Sequence, residues 1–383
     1  MPFSRRRYLA SSASVAASLI LGTRFAWANT EVSRVAAPSP AEKAAMRGLA
    51  TAFMRSYGVP ALQVAIAGEG ELVYSEAFGL ADRERPEDVT PAHRFRIASI
   101  SKTITSTAVF TLIERGALHL DTRVFGNGVL SQFDIRRSPR SDWMQAITVE
   151  HLLTHTCGGW SNEMDDPMFE RPELSQGDLI QWTLESHPLL HPPGTAYAYS
   201  NFGYCVLGRI IEAVTRRPYA RWVQEEVLRP ASVLDMTIAN NSPAERQVGE
   251  VRYYGPPGVD PYRANVARMD SHGGWIASAR DVVQFANHAT GLSRPALLTP
   301  DSIRQMTTGS VANPRYAKGW AVNGAGNWWH SGSLDGSTTV LARTGTRFCW
   351  AALANTRPAH GNIGRDIDDL VWNMVRAVPG WTA

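Results

Sequence analysis

Past its first residues, this 383-residue chain has no run long and apolar enough to cross a bilayer, so no stable membrane span is expected. Cysteine occurs three times, at Cys157, Cys205 and Cys349, and an odd count argues against a disulfide framework. Cys205 and Cys349 sit in apolar segments and read as small core residues. No serine has glycine at both −2 and +2, so the nucleophile elbow of α/β-hydrolases is absent. Internal repeats and low-complexity tracts are also missing, as is any Lys/Arg stripe with interleaved aromatics. The formal charge of +3 does not reverse that last reading, because Arg5, Arg6, Arg7 and Arg24 fall in an N-terminal segment without acidic residues. Taking those four away leaves −1, and no nucleic-acid partner is expected.

That segment, residues 1–28, has the parts of an export signal. Ser4-Arg5-Arg6-Arg7-Tyr8-Leu9 is a basic start, Ala10 to Leu21 a mild apolar run, and Ala26-Trp27-Ala28 an A-x-A cleavage site. The paired arginines match a twin-arginine signal, which implies a periplasmic or secreted protein. The alternative is an uncleaved anchor. Residues 29–40 read as a tether. Ser39-Pro40-Ala41-Glu42 then opens a helix running to about Tyr57, with a serine N-cap, proline at N1 and glutamate at N3.

Ala61–Ala67 and Glu71–Gly79, separated by Gly68-Glu69-Gly70, read as a hairpin. The middle of the chain carries helix signals, as at Val149–Thr154 and Gly203–Val214. Ala317–Val322, Gly326–Gly332, Ser337–Arg343 and Phe348–Asn355 read as strands, and Ile367–Val378 as a closing helix. Strands at both ends with helices between predict an α/β (α+β) fold: one antiparallel sheet flanked by helices, plus an all-helical insert. The expected division is 41–115 with 271–383 as the sheet domain and 116–270 as the mainly helical one. A cleft between them is the natural site.

The chemistry starts at Ser99-Ile100-Ser101-Lys102. The stretch from Ile104 to Ile113 is apolar or hydroxylated almost all round, which reads as a helix buried inside the protein. A lysine in its first turn loses hydration, and burial drives its pKa down toward that of a general base. Ser99 lies three residues away, on the same helical face and near the helix N-terminus: a nucleophile with a candidate base one turn on. Ser-x-x-Lys also arises by chance on solvated faces. The apolar surroundings are what set this one apart.

Two further stretches bear on the same chemistry. Pro192-Pro193-Gly194 leads into Tyr199-x-Asn201. A lysine ammonium nearby would favour the Tyr199 phenolate and let it relay a proton, while Asn201 offers an amide to a substrate carbonyl or to Lys102. The plainer alternative is a packed tyrosine and a helix-capping asparagine. In Trp328-Trp329-His330-Ser331-Gly332-Ser333, small residues on a strand would admit a substrate close to the backbone, and the Ser333 amide could join that of Ser99 around an oxyanion. His330 would supply a polar or positive group at the cleft edge, or else be an ordinary surface histidine. His151 and His155, four apart on a predicted helix, have a zinc-like spacing. Leu152 replaces the glutamate of H-E-x-x-H and no third ligand is evident, so packing histidines and no metal are expected. Trp160, Trp328 and Trp329 would line an acyl pocket or simply fill the core.

In order and rough spacing, Ser99-x-x-Lys102, Tyr199-x-Asn201 and His330-x-Gly332 resemble the motifs of the serine β-lactamase and penicillin-binding-protein superfamily. The branch most similar is that of class C β-lactamases, D-Ala-D-Ala carboxypeptidases, D-aminopeptidases and β-lactamase-like esterases. Ile147 to Gly159 resembles its TxxHLLTHTSG segment, with Cys157 in place of serine, and Gly273 to Asp281 its GGLxSTARD segment. The resemblance implies Ser99 as acyl-enzyme nucleophile and Lys102 with Tyr199 as the base–acid pair. It also implies substrate contacts from Asn201, His330, Gly332 and Ser333, with the Ser99 and Ser333 amides as the oxyanion hole. No cofactor is implied. The substrate would be a small molecule or short peptide cut at an ester, D-amino-acid amide or β-lactam bond. His330 stands where class C β-lactamases have lysine, which weighs against the β-lactam. The competing class is a non-catalytic binder of cell-wall peptide or penicillin that keeps the fold. Oligomeric state is not legible.

Overall fold

The structure, a computed structural model, describes residues 35–163 and 166–381, which belong to one compact unit. The expected export signal and most of the expected tether lie outside the described residues. The tether's last residues are docked on the body. Val35 fills the space over Gly68, Pro38 is buried, and Trp381 Nε1 donates to the Ala36 carbonyl at 2.8 Å.

The first helix spans Pro40–Tyr57, with the Ser39–Glu42 capping box predicted for it and Gly58 in the left-handed region at its end. Among the described residues ten strands follow in chain order: β1 Ala61–Gly68, β2 Glu71–Asp82, β3 Glu87–Asp88, β4 Phe95–Arg96, β5 Thr237–Ile238, β6 Trp275–Ala277, β7 Ala321–Val322, β8 Trp328–Leu334, β9 Ser337–Arg343 and β10 Phe348–Ala354. Seven of them form a sheet in the order β3-β2-β1-β10-β9-β8-β7, and its assigned pairs are all antiparallel. β1 from the start of the chain pairs with β10 from its end, Leu62 opposite Ala354 through Gly68 opposite Phe348.

The two faces of β1 and β10 are packed differently. Leu62, Val64 and Ile66 with Trp350 and Ala352 meet the Pro40–Tyr57 and Ile363–Arg376 helices. Ala61, Ala65 and Ala67 with Cys349, Ala351 and Leu353 meet the Ala279–Ala289 helix and belong to the core that also holds the Ser101–Glu114 helix. In β1, Leu62, Val64 and Ile66 on one face and Ala61, Ala65 and Ala67 on the other follow the two-residue period of a strand. A second sheet, β4-β6-β5, was not anticipated from the sequence. Its strands have two or three residues, too short for a periodic signal. Through Phe95–Arg96 against Ile276–Ala277 it fixes the backbone that leads into Ser99.

Candidate active site

Ser99 lies just ahead of the helix that carries Lys102. The α-helix begins at Ser101, and Ser99 sits in a short 3₁₀ turn, Ala98–Ile100, that feeds it. Ala98 has φ 47°, a left-handed conformation that costs a non-glycine residue free energy and is held by its surroundings. Those surroundings are specific. The Thr339 hydroxyl donates to the Ile97 carbonyl at 3.0 Å and the Ser337 hydroxyl to the Arg96 carbonyl at 2.6 Å. The Arg96 guanidinium, buried between the Tyr253 and Tyr262 rings, donates to the carbonyls of Pro261 and Asn240.

Gly332 packs directly against this turn. A Cβ at Gly332 would stand 2.3 Å from the Ile97 carbonyl oxygen and 2.3 Å from Thr339 Oγ1. The bare Cα lets β8 press against the Ala98–Ile100 turn, while the neighbouring Ser331 and Ser333 are exposed and line the cleft.

Every residue from Ser101 to Phe110 is buried, so Lys102 has no aqueous face. Its Nζ donates to Ser99 Oγ at 3.1 Å, to Asn201 Oδ1 at 2.6 Å and to the His272 carbonyl at 3.0 Å. Burial pulls the Lys102 pKa down to about 7, with the Asp166 carboxylate opposing the drop. Tyr199 departs from expectation. Burial, not the neighbouring ammonium, dominates and raises its pKa, against the pull of its contact with Ser99, so the phenol is protonated at neutral pH. Its ring lies under Lys102 Nζ, 4.9 Å from the centroid, and against His155 at 4.3 Å.

Asn201 is the first residue of the Asn201–Thr215 helix, with Ser200 as the cap. Of the two roles considered for its amide, the structure shows the contact with Lys102. His155 does not share a helix with His151, because that helix ends at Leu153 and His155 follows at φ 57°. His151 Nδ1 accepts from Thr148 N, and His155 Nδ1 accepts from Ser200 N at 3.1 Å, fixing the Tyr199–Asn201 segment. His330 is buried, with Nε2 3.1 Å from the Tyr316 hydroxyl and Nδ1 2.7 Å from the Ser331 carbonyl. Desolvation and the nearby Lys102 lower its pKa to about 3, so it is a neutral polar group, not a cation.

Ser99, Tyr199, Asn201, His330 and Ser333 line one cavity of about 840 Å³, and Lys102 lies beneath its floor. Met168, Phe169, Pro172, Leu334 and Trp329 supply apolar wall. Trp160 is instead core, packed edge-on against Phe125 and Phe202, and Trp328 stacks under Arg343 away from this cavity. Sequence reasoning missed Asn162, Asp166, Tyr316 and the His272 carbonyl. Asp166-Pro167 is a recognisable helix cap, but nothing in it says which side chain it faces.

A family model described as Beta-lactamase matches residues 46–370. Esterase EstB of Burkholderia gladioli is 35% identical over 188 residues, which are 46% of this chain and 47% of EstB. Protein flp of Staphylococcus aureus (strain N315) is 23% identical over 305 residues, 78% of this chain and 60% of flp. The matches thus span about half to three fifths of these relatives. Among solved structures, D-amino acid amidase from Ochrobactrum anthropi SV3, complexed with L-phenylalanine amide, superposes with a TM-score of 0.72 at 21% identity, over 88% of this chain and 99% of that one. At that identity the likeness concerns the fold alone.

Proposed function

The chain belongs to the Beta-lactamase family, whose model it matches over most of its length, and from that premise we propose that it is a serine hydrolase cutting esters through an acyl-enzyme on Ser99. One contact carries the reading: a buried lysine, brought down to about 7, sits 3.1 Å from a cleft-facing serine hydroxyl. Neutral Lys102 takes the Ser99 proton as Oγ bonds to the substrate carbonyl carbon. The Ser99 and Ser333 amides receive the negative oxygen. Protonated Tyr199 then gives its proton to the leaving alkoxide as the C–O bond breaks and recovers one from Lys102. Water attacks the acyl-enzyme, releasing the acid and restoring Ser99.

The ester preference rests on the cleft. Neutral His330 offers no charge at the third motif for the carboxylate of a β-lactam, and Met168, Phe169, Pro172, Trp329 and Leu334 give the cleft apolar surface for an acyl or alkyl group. The relative that is 35% identical is an esterase by name. A second reading, a D-amino-acid peptidase, is favoured by one feature: Arg357 is exposed on the cavity rim, where a peptide carboxylate could meet it. We also take residues 1–28 as a cleaved export signal delivering the enzyme to the periplasm or beyond. The mass of the protein recovered outside the cytoplasm tests that cleavage.

The decisive experiment pairs p-nitrophenyl butyrate turnover with intact mass after benzylpenicillin, for wild type and Ser99→Ala. Ester turnover that falls by at least about 10³-fold in Ser99→Ala, with penicillin left intact, supports the esterase. A lasting penicillin adduct on wild type alone points to a slowly deacylating peptidase. If neither compound reacts with wild type, the hydrolase reading loses to a non-catalytic binder.

A further inference from the structure

An asparagine amide has two chemically different ends, and at Asn201 each end meets a group that accepts only one orientation. Lys102 Nζ, which in its ammonium form has no acceptor, donates to Oδ1 at 2.6 Å. At the other end Nδ2 donates to Asp166 Oδ2 at 2.7 Å and to Asn162 Oδ1 at 2.7 Å. An ionised carboxylate has no proton to give, so turning the amide over would set donor against donor and acceptor against acceptor. The second Asp166 oxygen accepts from Met168 N at 3.0 Å, capping the Pro167–Glu170 turn. Both oxygens therefore receive N–H donors, the pattern of a carboxylate. Asp166 is 7% exposed and is absent from the cavity lining, so it acts on the chemistry only through Asn201 and through its field.

We propose that Asp166 is a positioning residue for the Ser99–Lys102 pair: it holds the Asn201 amide with its oxygen against Lys102 Nζ and sets a compensating negative charge one side chain from the buried amine. The inference rests on the reading of Lys102 as the base. The titratable groups facing Lys102 are Tyr199, Tyr204, His155, His272, His330 and Asp166. Burial keeps the two phenols and three imidazoles neutral. Among these six, Asp166 is the one that can oppose the ammonium's charge. Burial, and to a smaller degree the facing Glu170, raise the Asp166 pKa, while the bonds from Asn201 and Met168 N and the Lys102 charge favour its ionised form. When Lys102 takes the Ser99 proton its amine becomes an ammonium in a desolvated site, and Asp166 stabilises that charge without receiving the proton.

The chain holds three lysines, Lys43, Lys102 and Lys318, so full-length protein labelled with ¹³C at lysine Cε gives a titration in which Lys102 can be followed directly. Two variants remove the charge: Asp166→Asn, and Asp166→Ser, which keeps an oxygen to cap Met168 N. In either folded variant the Lys102 midpoint is expected to fall by about one pH unit, a tenfold change in the protonation equilibrium. The acid limb of kcat/KM for p-nitrophenyl butyrate is expected to move with it, and Asp166→Glu to restore much of the midpoint. An unchanged Lys102 midpoint in a folded charge-free variant overturns the proposal and leaves Asp166 as loop support, whatever happens to turnover. Failure of the hydrolase reading has a different signature: wild type without Ser99-dependent turnover while the Lys102 midpoint still responds to Asp166.

Discussion

At the scale of single residues, the folded chain holds Lys102 against its own solvation. Three acceptors surround Nζ, yet burial leaves its pKa at about 7, below the ordinary 10.5. Between those two values the unfolded chain binds the proton and the folded chain does not, so stability rises with pH through that window and is lowest at and below about 7. Lys102→Met, similar in volume and uncharged, is expected to abolish turnover yet stabilise the fold at neutral pH. The gain is on the order of 1–3 kcal/mol, because the unpaired Asn201 Oδ1 offsets part of the relief. It should shrink as pH climbs. Thermal melts of both proteins across pH read this directly, and a variant less stable at neutral pH would contradict it.

At the scale of elements, the turn that carries Ser99 is held by strands from far along the chain. β9 grips the Arg96 and Ile97 carbonyls by two hydroxyls, and β8 approaches the same turn across Gly332. Backbone and a short buried threonine are what an added methyl would strike, and neither can swing aside. Gly332→Ala is therefore expected to cost about 1–3 kcal/mol of stability by overpacking. By shifting Ala98–Ile100 it should also lower kcat more than it raises KM. Steady-state kinetics beside a denaturant melt test the pair of effects. Full activity with full stability would mean that the turn adapts freely.

At the scale of the whole molecule, the two ends of the chain close one sheet, and the cleft depends on that closure. The Ile363–Arg376 helix lies on the opposite side of the sheet from the Ser101–Glu114 helix. Met374 is fully buried in the layer between the sheet and the terminal helices. Met374→Ala should cost about 2–5 kcal/mol through the cavity it leaves, while ester kinetics of the folded fraction stay near wild type. Urea unfolding followed at the same time by tryptophan fluorescence and activity checks this. Loss of activity well before unfolding would show that the distant layer acts on the site itself.

The sequence by itself determined much. Local signals marked the Pro40–Tyr57 helix, where the capping box at one end and the stop glycine at the other each act over a few residues. Strand periodicity marked β9 at its observed ends. The buried character of the Lys102 helix followed from its lack of any polar face, because burial of a helix is written in its own side chains. Other features only the tertiary structure decided. The short strands β4, β5 and β6 exist by pairing with one another, not by their own pattern. Tyr199 is a protonated phenol because desolvation outweighs its contact with Ser99, a balance set by how many groups surround it. Gly332 is required by a turn more than two hundred residues earlier in the chain. Asp166 and Asn201 meet through a hydrogen bond between residues 35 apart. A sequence carries the type of each group and its near neighbours, but the burial and the partners that set its charge state come from packing between distant segments.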